Sequence, residues 1–220
     1  MKANKIWSLV LIFLLVFAAG FILKAIATPK NPLLSADAGN NPNAEQTERE
    51  LDLTGKSEIY LAGGCFWGTQ KFFDQFDGVV FTEVGYANGP EEKTDYEEVS
   101  RGSGHAETVR VVYDPAKISL AKLLDYYFLI IDPVSVNQQG NDIGVQYRTG
   151  IYYKDSSLLP DIQTVYKSQE DKAGESFAVE VEALKNFWPA EDYHQKYLEK
   201  NPGGYCHIPH NFFDLQNNQD

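Results

Sequence analysis

From residue 57 onward the apolar residues keep changing period, and that constrains the fold more than any other feature of the chain. Glu58–Ala62 reads as a short strand closed by Gly63-Gly64; Cys65 then opens a segment with Phe66, Phe72, Phe73 and Phe76 at helical spacing. Val79–Val84 is β-rich again and runs into Gly85-Tyr86 and the turn residues Asn88-Gly89-Pro90. His105–Tyr113 alternates strictly, which puts Glu107, Val109, Val111 and Tyr113 on one face before Asp114-Pro115 ends the run. Ser119 suits the N-cap of a helix with Leu120, Leu123, Leu124, Tyr127, Phe128 and Ile131 on one stripe, stopped ahead of Pro133. Val134–Arg148 reads as a long polar loop and Thr149–Tyr153 as a strand. Leu158, Leu159, Ile162, Val165 and Tyr166 mark another helix, and Phe177, Val179 and Val181 another strand. Ala190–Leu198 reads as a last helix before a Gly203-Gly204 loop. Strands and helices interleave, yet several strands alternate like half-exposed antiparallel ladders. The expectation is an α+β domain over residues 57–214, one sheet with helices packed on it and no internal repeat.

The first 27 residues follow a different logic. Lys2 and Lys5 precede an apolar run from Ile6 to Leu23 broken only by Ser8 and Gly20, and Ala25-Ile26-Ala27 offers a small-x-small cleavage site. The run is apolar on every side, which argues against an amphipathic core helix and for a segment in contact with a membrane. Residues 1–27 are therefore expected to be a signal peptide or membrane anchor, with the membrane met through residues 6–23. That places the rest outside the cytoplasm, in the periplasm or at the cell surface. Residues 28–56, rich in Asn, Pro, Ala and Glu, read as a flexible linker and 215–220 as a loose tail. Net charge is −12 although residues 1–30 hold Lys2, Lys5, Lys24, Lys30 and no acid, so the remainder is more acidic still. Such a body repels phosphate backbones, which excludes nucleic acid as a partner.

Chemistry centres on the two cysteines, Cys65 and Cys206. Gly63-Gly64 lets the chain turn tightly and sets Cys65 at the first turn of a helix, where free N–H groups and the helix dipole favour a thiolate. That is the setting of a nucleophile. Half of a structural disulfide with Cys206 fits the count equally well. On the alternating strand, Glu107 shares the face of Val109 and Val111; burial there raises a carboxyl's pKa and makes it a candidate general acid. A strand-end glutamate exposed at the rim is the plainer reading. Cys206-His207-x-x-His210 has two imidazoles near a thiol, but Pro209 disturbs the spacing and a fourth metal ligand is missing.

Gly64-Cys65-Phe66-Trp67-Gly68, Gly104-His105-Ala106-Glu107, Gln139-Gly140-Asn141-Asp142 with Gln146-Tyr147-Arg148, Glu191-Asp192-Tyr193-His194-Gln195 and Asn201-Pro202-Gly203-Gly204-Tyr205-Cys206 stand in this order. Together they resemble the peptide methionine sulfoxide reductase A family over about residues 57–210. The resemblance implies a two-layer ferredoxin-like plait around a mixed sheet. It implies that Cys65 attacks the sulfoxide, that Phe66 and Trp67 wall the pocket for the S-methyl group, and that Glu107 gives a proton to the sulfoxide oxygen. Tyr86 and Tyr147 would donate hydrogen bonds to that oxygen, Asp142 would shape the site, and Cys206 would resolve the sulfenic acid. It also implies no bound cofactor and an external thioredoxin-like dithiol reductant, with oxidised proteins and free methionine sulfoxide as substrates and selectivity for the S epimer. Ile131, Asn88 and Ser100 depart from residues common in the family, beside the proposed chemistry. No cysteine follows Cys206, so a third-thiol relay is excluded. Two other classes stay open: a cysteine hydrolase pairing Cys65 with His105 or His194, and a disulfide-stapled, membrane-tethered binding domain.

Overall fold

The computed structural model describes residues 52–215. Strand β1 (Ser57–Gly63) leads into helix α1 (Phe66–Asp74), then β2 (Val79–Ala87), a short α2 (Tyr96–Ser100) and β3 (Ala106–Tyr113). Helix α3 (Leu120–Ile130) follows, with Ser119 as cap: its side chain accepts the Lys122 N–H at 3.2 Å. Ile131, two residues ahead of Pro133, is already extended and ends the helix. A two-residue hairpin, β4 (Gln138–Gln139) and β5 (Asp142–Ile143), precedes β6 (Thr149–Tyr153), α4 (Leu159–Ala173), β7 (Glu180–Ala183), β8 (Phe187–Pro189) and α5 (Tyr197–Lys200).

Six strands form one sheet in the order β7-β6-β1-β3-β2-β8, antiparallel throughout except for the parallel pair β6–β7. The sheet is mixed, helices pack on it, and the fold class is α+β as expected. Val109, Val111 and Tyr113 of β3 join Ile59 and Leu61 of β1 in a core with Phe72 and Phe73 of α1, Leu123, Leu124 and Tyr127 of α3, and Ile162 and Val165 of α4. Tyr60, Ala62, Ala87, Ala106 and Tyr152 form a second cluster, covered by Leu184 and Phe187, with Phe187 edge-on to Tyr60 at 5.1 Å. The central strands are therefore buried on both faces. The expectation of half-exposed ladders fails there because the chain around β7 and β8 folds over the second face.

Three local expectations also fail. The loop 134–148 contains the β4–β5 hairpin and a single 3-10 turn, Val145–Tyr147. The strand read from Phe177 begins at Glu180, because Phe177 turns its ring onto Phe128 and Tyr166. The helix read over Ala190–Leu198 is only Tyr197–Lys200. Lys196 interrupts it with a left-handed φ of 53°, held by its N–H on Gln70 Oε1 (2.7 Å) and its Nζ on Asp74 Oδ1 (2.6 Å) and Thr82 Oγ1 (2.8 Å). Strand β8 gave no pattern because it is a three-residue edge strand ending in proline. Residues 1–27, most of the linker 28–56 and tail residues 216–220 lie outside the described residues. Among the described residues no helix is long and apolar enough to cross a membrane.

Candidate active site

Gly64 turns the chain from β1 into α1 with φ +80°, and any side chain there would collide with Gln139, whose Cβ stands 2.6 Å from the Cβ position. The turn delivers Cys65 to the N-cap of α1, 7% exposed. The position is the one expected; its electrostatics are not. Burial pushes the thiol well above its ordinary range, the Glu107 carboxyl adds to that, and the Trp67 backbone N–H pulls only partly the other way. The resting group is a thiol rather than the expected thiolate. One reason is that the first helix amide, Phe66 N–H, is spent on Glu107 Oε2 at 3.1 Å.

Glu107 lies at 2% exposure on the core face of β3, so the rim reading is overturned. Burial pushes its carboxyl up to about 8, against the opposing pull of the Phe66 N–H, with the Asp142 charge a further upward influence. It is neutral near pH 7. Across the ladder it pairs with Tyr86. Tyr86 is fully buried, and its hydroxyl donates to Glu191 Oε2 at 2.8 Å. That bond occupies the one proton that Tyr86 was expected to offer the sulfoxide oxygen.

The phenol that sequence reading missed is Tyr96. Its backbone N–H is tied to the other oxygen of the same carboxylate, Glu191 Oε1, at 2.9 Å. Its side chain is raised by burial first, then by Glu107 and Cys65. Tyr147, which was expected, feels burial, Glu107 and Cys65 in the same order. Both phenols thus feel the thiol and the acid together. With 13 tyrosines in the chain, residue type alone could not single out Tyr96. Asp95 caps α2 by accepting the Glu98 N–H at 2.8 Å, which marks the helix start but not the place of the Tyr96 phenol.

Phe66 and Trp67, expected as pocket walls, lie together in an aromatic cluster. Phe66 is 1% exposed and lies 5.8 Å from the Tyr86 ring and 5.1 Å from His194. Trp67 stacks on Tyr197 at 3.8 Å and donates from Nε1 to His194 Nδ1 at 3.0 Å. Burial holds His194 down to about 4, so it stays a neutral acceptor.

Cys206 comes back to the same helix. A Cβ on Gly68, one turn beyond Cys65, would sit 2.6 Å from the Cys206 sulfur, so only glycine leaves room for it. That sulfur is half-buried and accepts the Ile208 N–H at 3.4 Å. Burial raises this thiol too, while Lys71 draws it down. The two cysteines are not bonded to each other. Asp142, on β5, holds the Tyr205 hydroxyl, and its charge reaches both thiols. Among the described residues no three His, Cys, Asp or Glu side chains converge on a metal position.

A buried thiol beside a neutral acid, two phenols and a second thiol one helical turn away is the equipment of a thiol-dependent oxidoreductase. The family model described as Peptide methionine sulfoxide reductase matches residues 57–219. Mxr1 of Saccharomyces cerevisiae in its reduced form is similar at 37% identity and TM-score 0.69, over 73% of this chain and 94% of that one. Methionine sulfoxide reductase A of Corynebacterium diphtheriae is similar at 36% identity and TM-score 0.63, over 71% of this chain and 79% of the other. The chain belongs to the peptide methionine sulfoxide reductase A family, and is an enzyme of that family.

Proposed function

We propose that the chain reduces the S epimer of methionine sulfoxide, free and in proteins, and passes the oxidation to a Cys65–Cys206 disulfide. The observation that carries this is Glu107 buried on the core face and bonded to the Phe66 N–H next to Cys65, with Cys206 packed on Gly68 of the same helix. Sulfoxide oxygen leaves only when protonated or strongly hydrogen-bonded. Glu107 supplies the proton, Tyr96 and Tyr147 polarise the same oxygen, and the Phe66–Trp67 wall takes the methyl group. The Cys65 sulfur attacks the substrate sulfur. The S–S bond so formed breaks again as the hydroxyl made from the sulfoxide oxygen passes to the Cys65 sulfur and methionine leaves with the bonding pair. Cys65 becomes a sulfenic acid, the thiol's own proton replaces the one Glu107 gave, and no net proton is consumed. Cys206 then forms the S–S bond, and its proton leaves with the sulfenic hydroxyl as water. No bound cofactor takes part; a thioredoxin-like dithiol resets the pair.

The competing classes lose support at named residues. His105 hydrogen-bonds Ser103 Oγ and the Glu91 carbonyl, and His194 is held by Trp67, so neither serves Cys65 as a hydrolase base. A permanent staple does not fit two unbonded cysteines. We read the central order β6-β1-β3-β2, with α1 and α3 as crossovers, as the ferredoxin-like plait. We keep residues 1–27 as a signal peptide or anchor, 28–56 as a tether and 57–214 as the catalytic domain, working outside the cytoplasm. That placement is supported by the Lys2–Leu23 pattern. The test is dithiol-dependent reduction of a methionine sulfoxide peptide with the two epimers assayed separately. Turnover of the S epimer alone is expected; no dithiol consumption with either epimer overturns the assignment.

A further inference from the structure

Beside Cys206, three buried polar atoms on two facing side chains make no hydrogen bond. The His207 side chain is 4% exposed and neither ring nitrogen has a partner. Its Nδ1 stands 3.9 Å from Asp142 Oδ2, the third such atom. The ring is wedged in place. A Cβ on Gly64 would meet Nε2 at 3.1 Å, and one on Gly140 would meet the His207 Cβ at 3.3 Å. The imidazole thus fills the gap between the β4–β5 turn and the residue ahead of Cys65, close to the Gly63 backbone but short of a well-formed hydrogen bond. Leaving such atoms unpaired destabilises the fold, a loss that an apolar side chain of similar shape would avoid. The reductive step described above uses neither nitrogen.

Asp142 is the charge these groups share: its carboxylate disfavours ionisation of Cys65 and Cys206 alike. We propose that His207 is a positioning residue for the disulfide-forming step, holding Asp142 and the Cys206 loop where Cys206 can attack the Cys65 sulfenic acid. The proposal rests on the two-cysteine cycle given above. In that step the S–S bond forms, the S–O bond of the sulfenic acid breaks, and the Cys206 proton departs with the hydroxyl as water. Closing the 3.9 Å gap brings Nδ1–H onto Asp142 Oδ2. The hydrogen bond draws the carboxylate charge away from the thiol that must ionise and fixes the turn that carries Cys206. No other role in the cycle is asked of the ring.

The experiment mixes full-length enzyme with an equimolar S-sulfoxide peptide and no reductant, following methionine formation and loss of titratable thiols by rapid quench. It compares wild type, His207→Leu, which keeps bulk without nitrogen, and His207→Asn, which keeps an N–H near the Nδ1 position. Methionine formation is expected at the wild-type rate in both variants. Thiol loss should slow on the order of 10- to 100-fold in His207→Leu, the cost of a misplaced reacting group, and recover largely in His207→Asn. Thiol loss at the wild-type rate in His207→Leu overturns the proposal. So does equal slowing in both variants, or methionine formation that falls in step with thiol loss. If wild type forms methionine yet keeps its thiols, the two-cysteine cycle itself fails, and the role of His207 with it.

Discussion

Glu107→Gln should inactivate the enzyme and stabilise it at the same time. Glu107 is 2% exposed, and its carboxyl is displaced from an ordinary 4.5 up to about 8, chiefly by burial. The folded state therefore holds this proton more tightly than the unfolded chain does. The stability tied to that proton is complete below about pH 4.5 and is lost as pH rises toward 8. At about 1.4 kcal/mol per pH unit, the window carries on the order of 5 kcal/mol. Gln does not titrate, fills the same space and still offers an oxygen to the Phe66 N–H. Urea unfolding of both proteins at pH 5, 7 and 9 reads the difference directly, with titrations elsewhere in the chain cancelling. The variant should gain on wild type from pH 5 to about 8 and level off by pH 9, while single-turnover methionine release falls about 10²–10⁴-fold, the usual worth of a general acid. A stability difference that stays flat from pH 5 to 9, or methionine release at the wild-type rate, refutes the buried neutral acid.

Cys206→Ser should release one methionine per chain and then stall when thioredoxin is the only reductant; continued turnover at the wild-type rate removes Cys206 as resolver. Gly68→Ala adds a Cβ 2.6 Å from the Cys206 sulfur, so thiol loss should slow while the first methionine still forms, as rapid quench would record. Tyr96→Phe should slow the first step, whereas Tyr86→Phe should mainly lower stability, by about 1–3 kcal/mol for an orphaned Glu191 contact. The opposite ranking in single-turnover and urea assays restores Tyr86 as the donor. A reporter fused after Asp220 should be active only outside the cytoplasm, and cytoplasmic activity refutes the export reading of residues 1–27.

Period and punctuation made most of the central sheet legible. Strict alternation in β3 reported a buried face, and Gly63-Gly64 ahead of Cys65 reported a strand-to-helix turn. Glu107 stood out as an acid in an apolar alternation, but the alternation alone left an exposed rim position the plainer reading, and its role as an acid came from the family resemblance. The chain's own residues hid three things. Lys196 breaks a helical pattern by bonds to Gln70, Asp74 and Thr82, more than a hundred residues away, which no local window contains. The hydroxyl of Tyr86 and the backbone of Tyr96 are both held by Glu191, about a hundred residues later and equally outside any local window. The Cys65 thiol sits at a helix start, which reads as acidifying. Only the folded structure reveals that burial and Glu107 outweigh that effect.

The central claim is that one sulfoxide oxygen is exchanged for one Cys65–Cys206 disulfide. The chain holds only two cysteines, so counting them after a single turnover is decisive. Reduced enzyme is given one equivalent of S-sulfoxide peptide without reductant, denatured, and titrated for free thiol alongside the methionine formed. The account predicts one methionine and the loss of both thiols within the same chain, with a monomeric mass lowered by two hydrogens. One methionine with a thiol remaining, or a disulfide joining two chains, contradicts it.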